Sequence, residues 1–220
     1  EVLHHQLEVL KTGLPEYTVV GVGREDGKTA GEYAPIFFKQ AKYTLLDQNT
    51  FWLCEKPDSV GMVGWDAALT RIATWVKLQD KKTGQILMVV NTHFDHIGTE
   101  ARRNSALLII EKIKEIVGTS PAILTGDFNV SEDWDAYKTI TNNEFILKDA
   151  HKVAGKRTGV DFTYHNFGKI PAEKCEKIDF IFVTPQIRVI SSYIPFSQLN
   201  DTLFLSDHNP EIVELEIEKS

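Results

Sequence analysis

Ala122-Ile123-Leu124-Thr125-Gly126-Asp127-Phe128-Asn129, "AILTGDFN", passes from an apolar run into a glycine, a carboxylate and an amide. Its first part reads as a buried strand over residues 122–124 and its second as a polar turn at the strand's end. Taken alone, Gly126-Asp127 fits an ordinary turn as well as it fits chemistry. Repetition gives it weight, because three further polar clusters follow or interrupt apolar runs. They are Thr92-His93-Phe94-Asp95, Lys177-Ile178-Asp179-Phe180 and Ser206-Asp207-His208-Asn209-Pro210. Strand ends are where a rigid sheet presents side chains to a cleft, so clusters at like positions converge. Asp179 is the most telling single residue. A carboxylate between Ile178 and Phe180 needs a cation, a histidine or a metal as its partner.

The surrounding pattern is rich in strands. Val2, Leu3, Gln6, Leu7 and Leu10 lie largely on one face of an N-terminal helix that Gly13 and Pro15 stop. Strands are predicted over residues 17–22, 35–38, 43–46, 74–78 and 86–90, the last two able to form a hairpin across the turn 80–84. Residues 99–117 predict a long amphipathic helix with Leu107, Ile110, Ile113 and Val117 inward and Arg102 and Arg103 outward. A short helix is expected around 133–140 and further strands at 162–165, 178–183 and 212–217. Many strands with few helices suggest sheets packed face to face and partly covered by helices.

The 220 residues suit one domain with a substantial core. No apolar run is long enough to cross a bilayer, and no signal-peptide pattern is present, so a soluble chain without a membrane anchor is expected. The compartment stays open, secreted or periplasmic if a leader precedes residue 1. The net charge of −7 argues against the large positive field that drives sequence-independent DNA binding. Cys54 and Cys175 lie far apart and fit either buried thiols or one bridge.

"GDFN", the aspartate within "KIDFIFV" and "SDHNP", supported by "NTHFD", together resemble the endonuclease/exonuclease/phosphatase superfamily, the DNase I-like group. The resemblance runs in order from Glu1 to Pro210. It implies an α/β fold, a four-layer α/β/β/α sandwich of two packed mixed sheets with outer helices. It also implies a phosphoesterase that uses Mg²⁺ or Mn²⁺. The substrate would be nucleic acid or a small phosphorylated molecule, and the protein a monomer.

Carried over residue by residue, Glu1 resembles the metal-binding glutamate that ends a strand reading roughly "LQE", and Asp207 would face the metal. Asp127 would orient or deprotonate the attacking water, and Asn129 would hold the phosphate. His208 would contact the scissile phosphate, charged by Asp179 across the cleft. His93 matches a second histidine that is paired with a glutamate in DNase-like members, and Glu32 is the candidate partner. Arg71 would give a cation to the phosphate; Asn104, His165 and Asn166 would shape the substrate pocket. The family's first strand carries a metal-binding asparagine in a pattern like "SFNIR". Residues 1–220 start after it, so the single domain is expected to lack that strand.

"NTHFDH", Asn91 to His96, comes within one residue of the His-x-His-x-Asp-His cluster of dinuclear zinc hydrolases, with Asn91 in place of the first histidine. The later clusters are carboxylate and amide, which suit Mg²⁺ or Mn²⁺ better than Zn²⁺. A zinc hydrolase and a catalytically inactive phospholigand-binding module are therefore the alternatives. The chemistry expected of the main reading is in-line attack of water on an anionic ester. It needs charge neutralisation on the phosphate, an aligned water and a stabilised leaving oxygen.

Overall fold

The computed structural model describes residues 1–220 apart from 119, 144, 146, 201–202 and 218–220. In chain order the elements are α1 (His4–Gly13), β1 (Tyr17–Val20), β2 (Ile36–Lys39), β3 (Tyr43–Trp52), β4 (Ile72–Asp80), β5 (Ile86–His93), α2 (Thr99–Val117) and β6 (Ala122–Asp127). There follow α3 (Asp135–Thr141), β7 (Lys148–Asp149), α4 (Ala150–Val153), β8 (Lys156–Gly159), β9 (Asp179–Val183), β10 (Ile187–Ile194), β11 (Gln198–Asn200), β12 (Leu203–Phe204) and β13 (Ile212–Ile217).

A six-stranded sheet in the order β3-β4-β5-β6-β9-β7 forms the frame. Its β5–β6 pair is parallel and its other pairs antiparallel. Parallel neighbours need a crossover, and α2 supplies it. The consequence is positional: the β5–β6 register sets His93 beside Asp127, and the β6–β9 register sets Asp127 beside Asp179. Three of the four polar clusters thus meet at one end of three adjacent strands.

Side chains alternate across a strand, so each polar residue has an aromatic neighbour on the opposite face. Phe94, Phe128 and Phe180 are all fully buried with Ile109, Ile113 and Ile140 under α2 and α3. Phe94 and Phe128 meet edge to face at 4.9 Å, and Phe128 and Phe182 at 5.2 Å. These rings hold the three strand ends rigidly from behind.

On the sheet's other face, Val20, Ile36 and Phe38 of the β1-β2 pair pack on Val76 and Leu78. Val189, Val213 and Leu215 of the β13-β10-β8 sheet pack near Leu87, Ile123 and Val183. That second sheet is also mixed, with β10 antiparallel to β13 and parallel to β8. The packed mixed sheets and outer helices are the expected α/β sandwich. No helix among the described residues is long and apolar enough to cross a membrane.

Several local expectations are corrected. Leu107 is 49% exposed, while Arg102, expected outward, is buried; its guanidinium donates to the Asp95 carbonyl at 3.0 Å and packs under Trp134. On α1, Leu7 is the buried residue and Leu3 and Leu10 are exposed. Residues 162–165 form no strand, and Tyr164 makes isolated bridges to Glu176 and His208. The unanticipated β10 alternates buried and exposed positions, but Ser191 and Ser192 interrupt its apolar run at a bulge. Both cysteines are free, Cys54 buried.

Candidate active site

A cavity of about 510 Å³ opens at the shared strand ends, with Glu1, His93, Asp127, Asp179, Asp207 and His208 in its wall. Its tightest point explains the glycine of "GDFN". A Cβ on Gly126 would stand 2.2 Å from the Thr92 carbonyl oxygen, and the residue's φ is +157°. Only glycine lets β5 and β6 approach this closely there. The next turn is an Asx turn in which Asp127 Oδ1 accepts the Asn129 backbone N–H at 2.8 Å. Asn129 takes a left-handed φ of +50°, and its Nδ2 donates to the Phe94 carbonyl at 2.9 Å. Its side chain therefore ties two active-site loops together and is not among the cavity-lining residues.

One wall is a carboxylate pair with a histidine. His208 Nδ1 lies 2.7 Å from Asp179 Oδ2. Burial disfavours the imidazolium, but the hydrogen bond and charge of Asp179, with Asp127 and Asp207 nearby, lift its pKa to about 9. Asp127 moves the other way from an ordinary carboxyl. Burial first, and the charge of Asp179 second, push it up to about 7, against the Asn129 N–H. Asp179 is itself held by its main chain: its N–H donates to Thr163 Oγ1 at 3.0 Å, and its carbonyl accepts from Lys177 Nζ at 2.9 Å. The buried Lys177 is also 2.9 Å from Glu211, three residues after His208, so one ion pair clamps both members of the dyad.

The facing wall is Glu1, Glu32 and His93. His93 Nδ1 is 3.0 Å from Glu1 and 3.8 Å from Glu32, and Nε2 is 3.6 Å from Asp127. Glu32 is expected to be the partner of His93, yet its Oε2 is held at 2.5 Å by Arg24, and Glu1 stands nearer. The contact with His93 holds the Glu1 carboxyl down to about 2, against its own desolvation. Burial lowers the pKa of His93.

These residues fit a divalent cation. One ligand atom each from Glu1, Glu32 and His93 lie within 4.8 Å of one another, as do those from Asp127, Asp179 and His208. His93 Nδ1 is buried and faces the Glu1 carboxylate at 3.0 Å without a well-aligned hydrogen bond, which sets an imidazole nitrogen and a carboxylate oxygen together as ligand-type atoms. Asp207 lines the cavity but joins neither group.

The four residues expected to bind substrate all lie outside the main cavity's wall. Arg71 is 4% exposed and is directed at Asp95 (3.3 Å) and His96 (3.1 Å) and not into the cavity. His165 is buried among Phe162, Phe196 and Phe204, where its Nδ1 accepts the Gly168 N–H at 3.0 Å. Asn166 sits in a left-handed turn, its N–H on the Asp207 carbonyl at 3.2 Å. Both support the loop behind Asp207 from outside the cavity. Asn104 instead lines a separate groove on α2 with Trp65 and Leu108.

Asp95 is the structural residue that the sequence hid best. It accepts the N–H groups of Ala68, Leu69, Ile97 and Gly98 as well as Arg71 Nε. Burial would raise its carboxyl, but these donors outweigh it and hold it well below the usual range. With its oxygens committed this way, Asp95 does not form a zinc cluster with His93 and His96. The pairing of Lys177 with Glu211 and the bracing of Asp179 by Thr163 are likewise not read from the sequence, although Lys177 stands in one of the quoted clusters. The signal for the first pair is a lysine and a glutamate each beside a motif, which by itself reads as solvated charge.

Residues 9–208 match the Endonuclease/Exonuclease/phosphatase family. An endonuclease/exonuclease/phosphatase from Bacteroides vulgatus is 65% identical, with a TM-score of 0.96 over 99% of this chain and 83% of that one. A mannosyl-6-phosphatase from Bacteroides thetaiotaomicron is 38% identical, with a TM-score of 0.90 over 97% of this chain and 82% of that one. An uncharacterized protein of Acanthamoeba polyphaga mimivirus is 30% identical over 96% of this chain and 80% of its own length. With its motif residues gathered at one cavity and these likenesses along nearly its whole length, the chain belongs to the endonuclease/exonuclease/phosphatase family of phosphoester hydrolases.

Proposed function

We propose that this protein is a divalent-metal-dependent phosphomonoesterase whose substrate is a sugar phosphate. The observation that carries the hydrolytic part is the placement of Asp127 in register with Asp179, whose carboxylate holds His208 Nδ1 at 2.7 Å in the same cavity. Asp127 is pushed up to about 7 and His208 up to about 9, so between these values a base and a cationic donor coexist in one cavity.

Asp127 takes the proton of the attacking water as the water's oxygen closes on phosphorus and the bond to the sugar oxygen breaks. The His208 imidazolium, oriented through Nδ1 by Asp179, offers Nε2–H to a phosphate oxygen. Glu1, Glu32 and His93 would hold Mg²⁺ or Mn²⁺, with Asp207 at the cavity wall. When bound, such an ion neutralises phosphate charge and stabilises the leaving oxygen. Asn129, fastened to the Phe94 carbonyl, keeps the Asp127 and His93 loops in register.

Two observations favour a small monoester over a nucleic acid. The chain carries a net charge of −7, which disfavours long polyanions. The 38%-identical Bacteroides thetaiotaomicron protein is a mannosyl-6-phosphatase. The test is phosphate release from mannose 6-phosphate, glucose 6-phosphate, bis-(p-nitrophenyl) phosphate and single-stranded DNA, with Mg²⁺, Mn²⁺ or EDTA. Metal-dependent release from the sugar phosphates, lost in Asp127→Ala, is expected. Turnover of DNA or diester alone, or turnover that survives EDTA, would overturn the proposal.

A further inference from the structure

A second cavity of about 330 Å³ has Thr99, Arg102, Arg103, Asp133, Trp134 and Asp135 in its wall, on segments that continue from the main cavity's His93 and Asp127. Asp127 of the main cavity and Trp134 are seven residues apart in the chain, at most ~25 Å, and Arg102 donates to the carbonyl of Asp95, two residues past His93.

Of the four tryptophans, Trp52 and Trp75 are buried and Trp65 packs on the main core, whereas Trp134 is 44% exposed. Its indole is not loose. The Arg102 guanidinium lies 4.9 Å from the ring centroid, itself fixed by the Asp95 carbonyl and by Thr99 Oγ1 at 3.4 Å. The backbone of Trp134 caps α3. One ring face is thus backed by a buried cation while the residue stays 44% exposed in the cavity wall.

Around it, Asp133, Asp135 and Arg103 are exposed and offer acceptors and donors. Asp133 and Asp135 offset Arg102 and Arg103, so the wall lacks the positive excess that would hold the phosphates of a stacked nucleotide or nucleic acid strand. A pyranose fits both features. Its C–H face covers the indole and its hydroxyls meet the carboxylates and the guanidinium.

We infer that this cavity is a subsite for a neutral hexose of a short glycan whose phosphorylated end occupies the main cavity. The inference rests on the sugar-phosphate reading and narrows it from free monosaccharide phosphates to phosphorylated oligosaccharides. Trp134 supplies the stacking surface and Asp133 and Arg103 the hydroxyl contacts.

Two measurements test it on the full chain. In the first, unphosphorylated mannotriose is titrated into isotope-labelled protein and the indole N–H signals are followed, with W134F assigning the Trp134 peak. The Trp134 signal is expected to shift while those of Trp52 and Trp75 stay, and W134A and D133N are each expected to weaken binding about tenfold, equivalent to ~1.4 kcal/mol. In the second, kcat/KM for mannotriose bearing a terminal 6-phosphate is divided by that for mannose 6-phosphate. The ratio is expected to be about ten in the wild type and to fall toward one in W134A through KM.

A Trp134 signal unmoved by the triose, with equal ratios in wild type and W134A, would overturn the subsite even if both phosphates are hydrolysed. Hydrolysis of neither phosphate, with the Trp134 signal still moving, would refute the sugar-phosphatase reading and support the subsite.

Discussion

Asp127 and Asp179 are register partners across the antiparallel pair β6–β9, so two carboxylates stand side by side at the mouth of one cavity. Their difference in role comes from what else each one meets. Asp179 has the His208 imidazole at 2.7 Å, while Asp127 has a single backbone N–H at 2.8 Å and a more distant imidazole, His93 Nε2 at 3.6 Å. Like charges this close cannot both ionise freely, and the less supported one keeps its proton longer.

The pH dependence of kcat/KM follows. Activity is expected to rise as Asp127 ionises through about 7 and to fall as His208 loses its proton through about 9. Asp179→Asn removes the charge that raises both values, so both limbs are expected to move to lower pH. Measured profiles of wild type and D179N that share one alkaline limb would contradict the His208 assignment.

Asp127→Asn separates catalysis from stability. Loss of the base is expected to cost about 10²–10⁴ in kcat. A carboxyl whose folded pKa is raised contributes stability below its ordinary value near 3.8, and that contribution is lost as pH rises through about 7. At pH 8 the variant is therefore expected to melt higher than wild type, by ~2–4 °C per kcal/mol relieved, and to show little advantage at pH 4. Thermal melts at the two pH values decide this.

The Lys177–Glu211 pair is buried on both sides, and Lys177 also lies 3.9 Å over the Phe180 ring. Lys177→Met would strand Glu211, at a cost of about 3–5 kcal/mol. The double variant K177M/E211L is expected to recover most of that, because it removes both charges. Urea unfolding of the two variants checks it, and equal destabilisation in both would mean that the pair is not what holds the segment.

Under the proposed metal dependence, the two walls are expected to respond differently to substitution. Glu1→Gln is expected to raise the Mn²⁺ concentration for half-maximal activity at least about tenfold while retaining turnover at saturating metal. His208→Ala is expected to lower kcat without changing that concentration. Titrations of activity against Mn²⁺ compare them, and an unchanged requirement in E1Q would place the metal elsewhere.

Much of the fold was legible because it is written locally. The predicted helix 99–117 and strand 212–217 coincide with α2 and β13, and the strands carrying the motifs begin or end within a few residues of their predicted bounds. The alternation of His93 with Phe94, Asp127 with Phe128 and Asp179 with Phe180 tells which side chains face a cleft and which face the core. Elements held by partners more than by their own pattern were harder to see. The polar stretch 47–50 of β3 is strand because β4 pairs with it.

By itself the sequence determined the strand-turn motifs, the crossover helix and the residue types gathered for phosphoester chemistry, since periodicity and turn chemistry act over a few neighbouring residues. Beyond the Asp179–His208 pair, already expected from the motifs, the tertiary structure decided which charge meets which. It gave Glu32 to Arg24, brought Glu1 to His93, turned Arg71 inward to Asp95, buried His165 among phenylalanines and paired Lys177 with Glu211. Apart from Arg24 and Glu32, which share the β1–β2 connection, those charge pairings join residues more than twenty positions apart. Strand register and packing set their distances, and no local pattern of residues encodes either one.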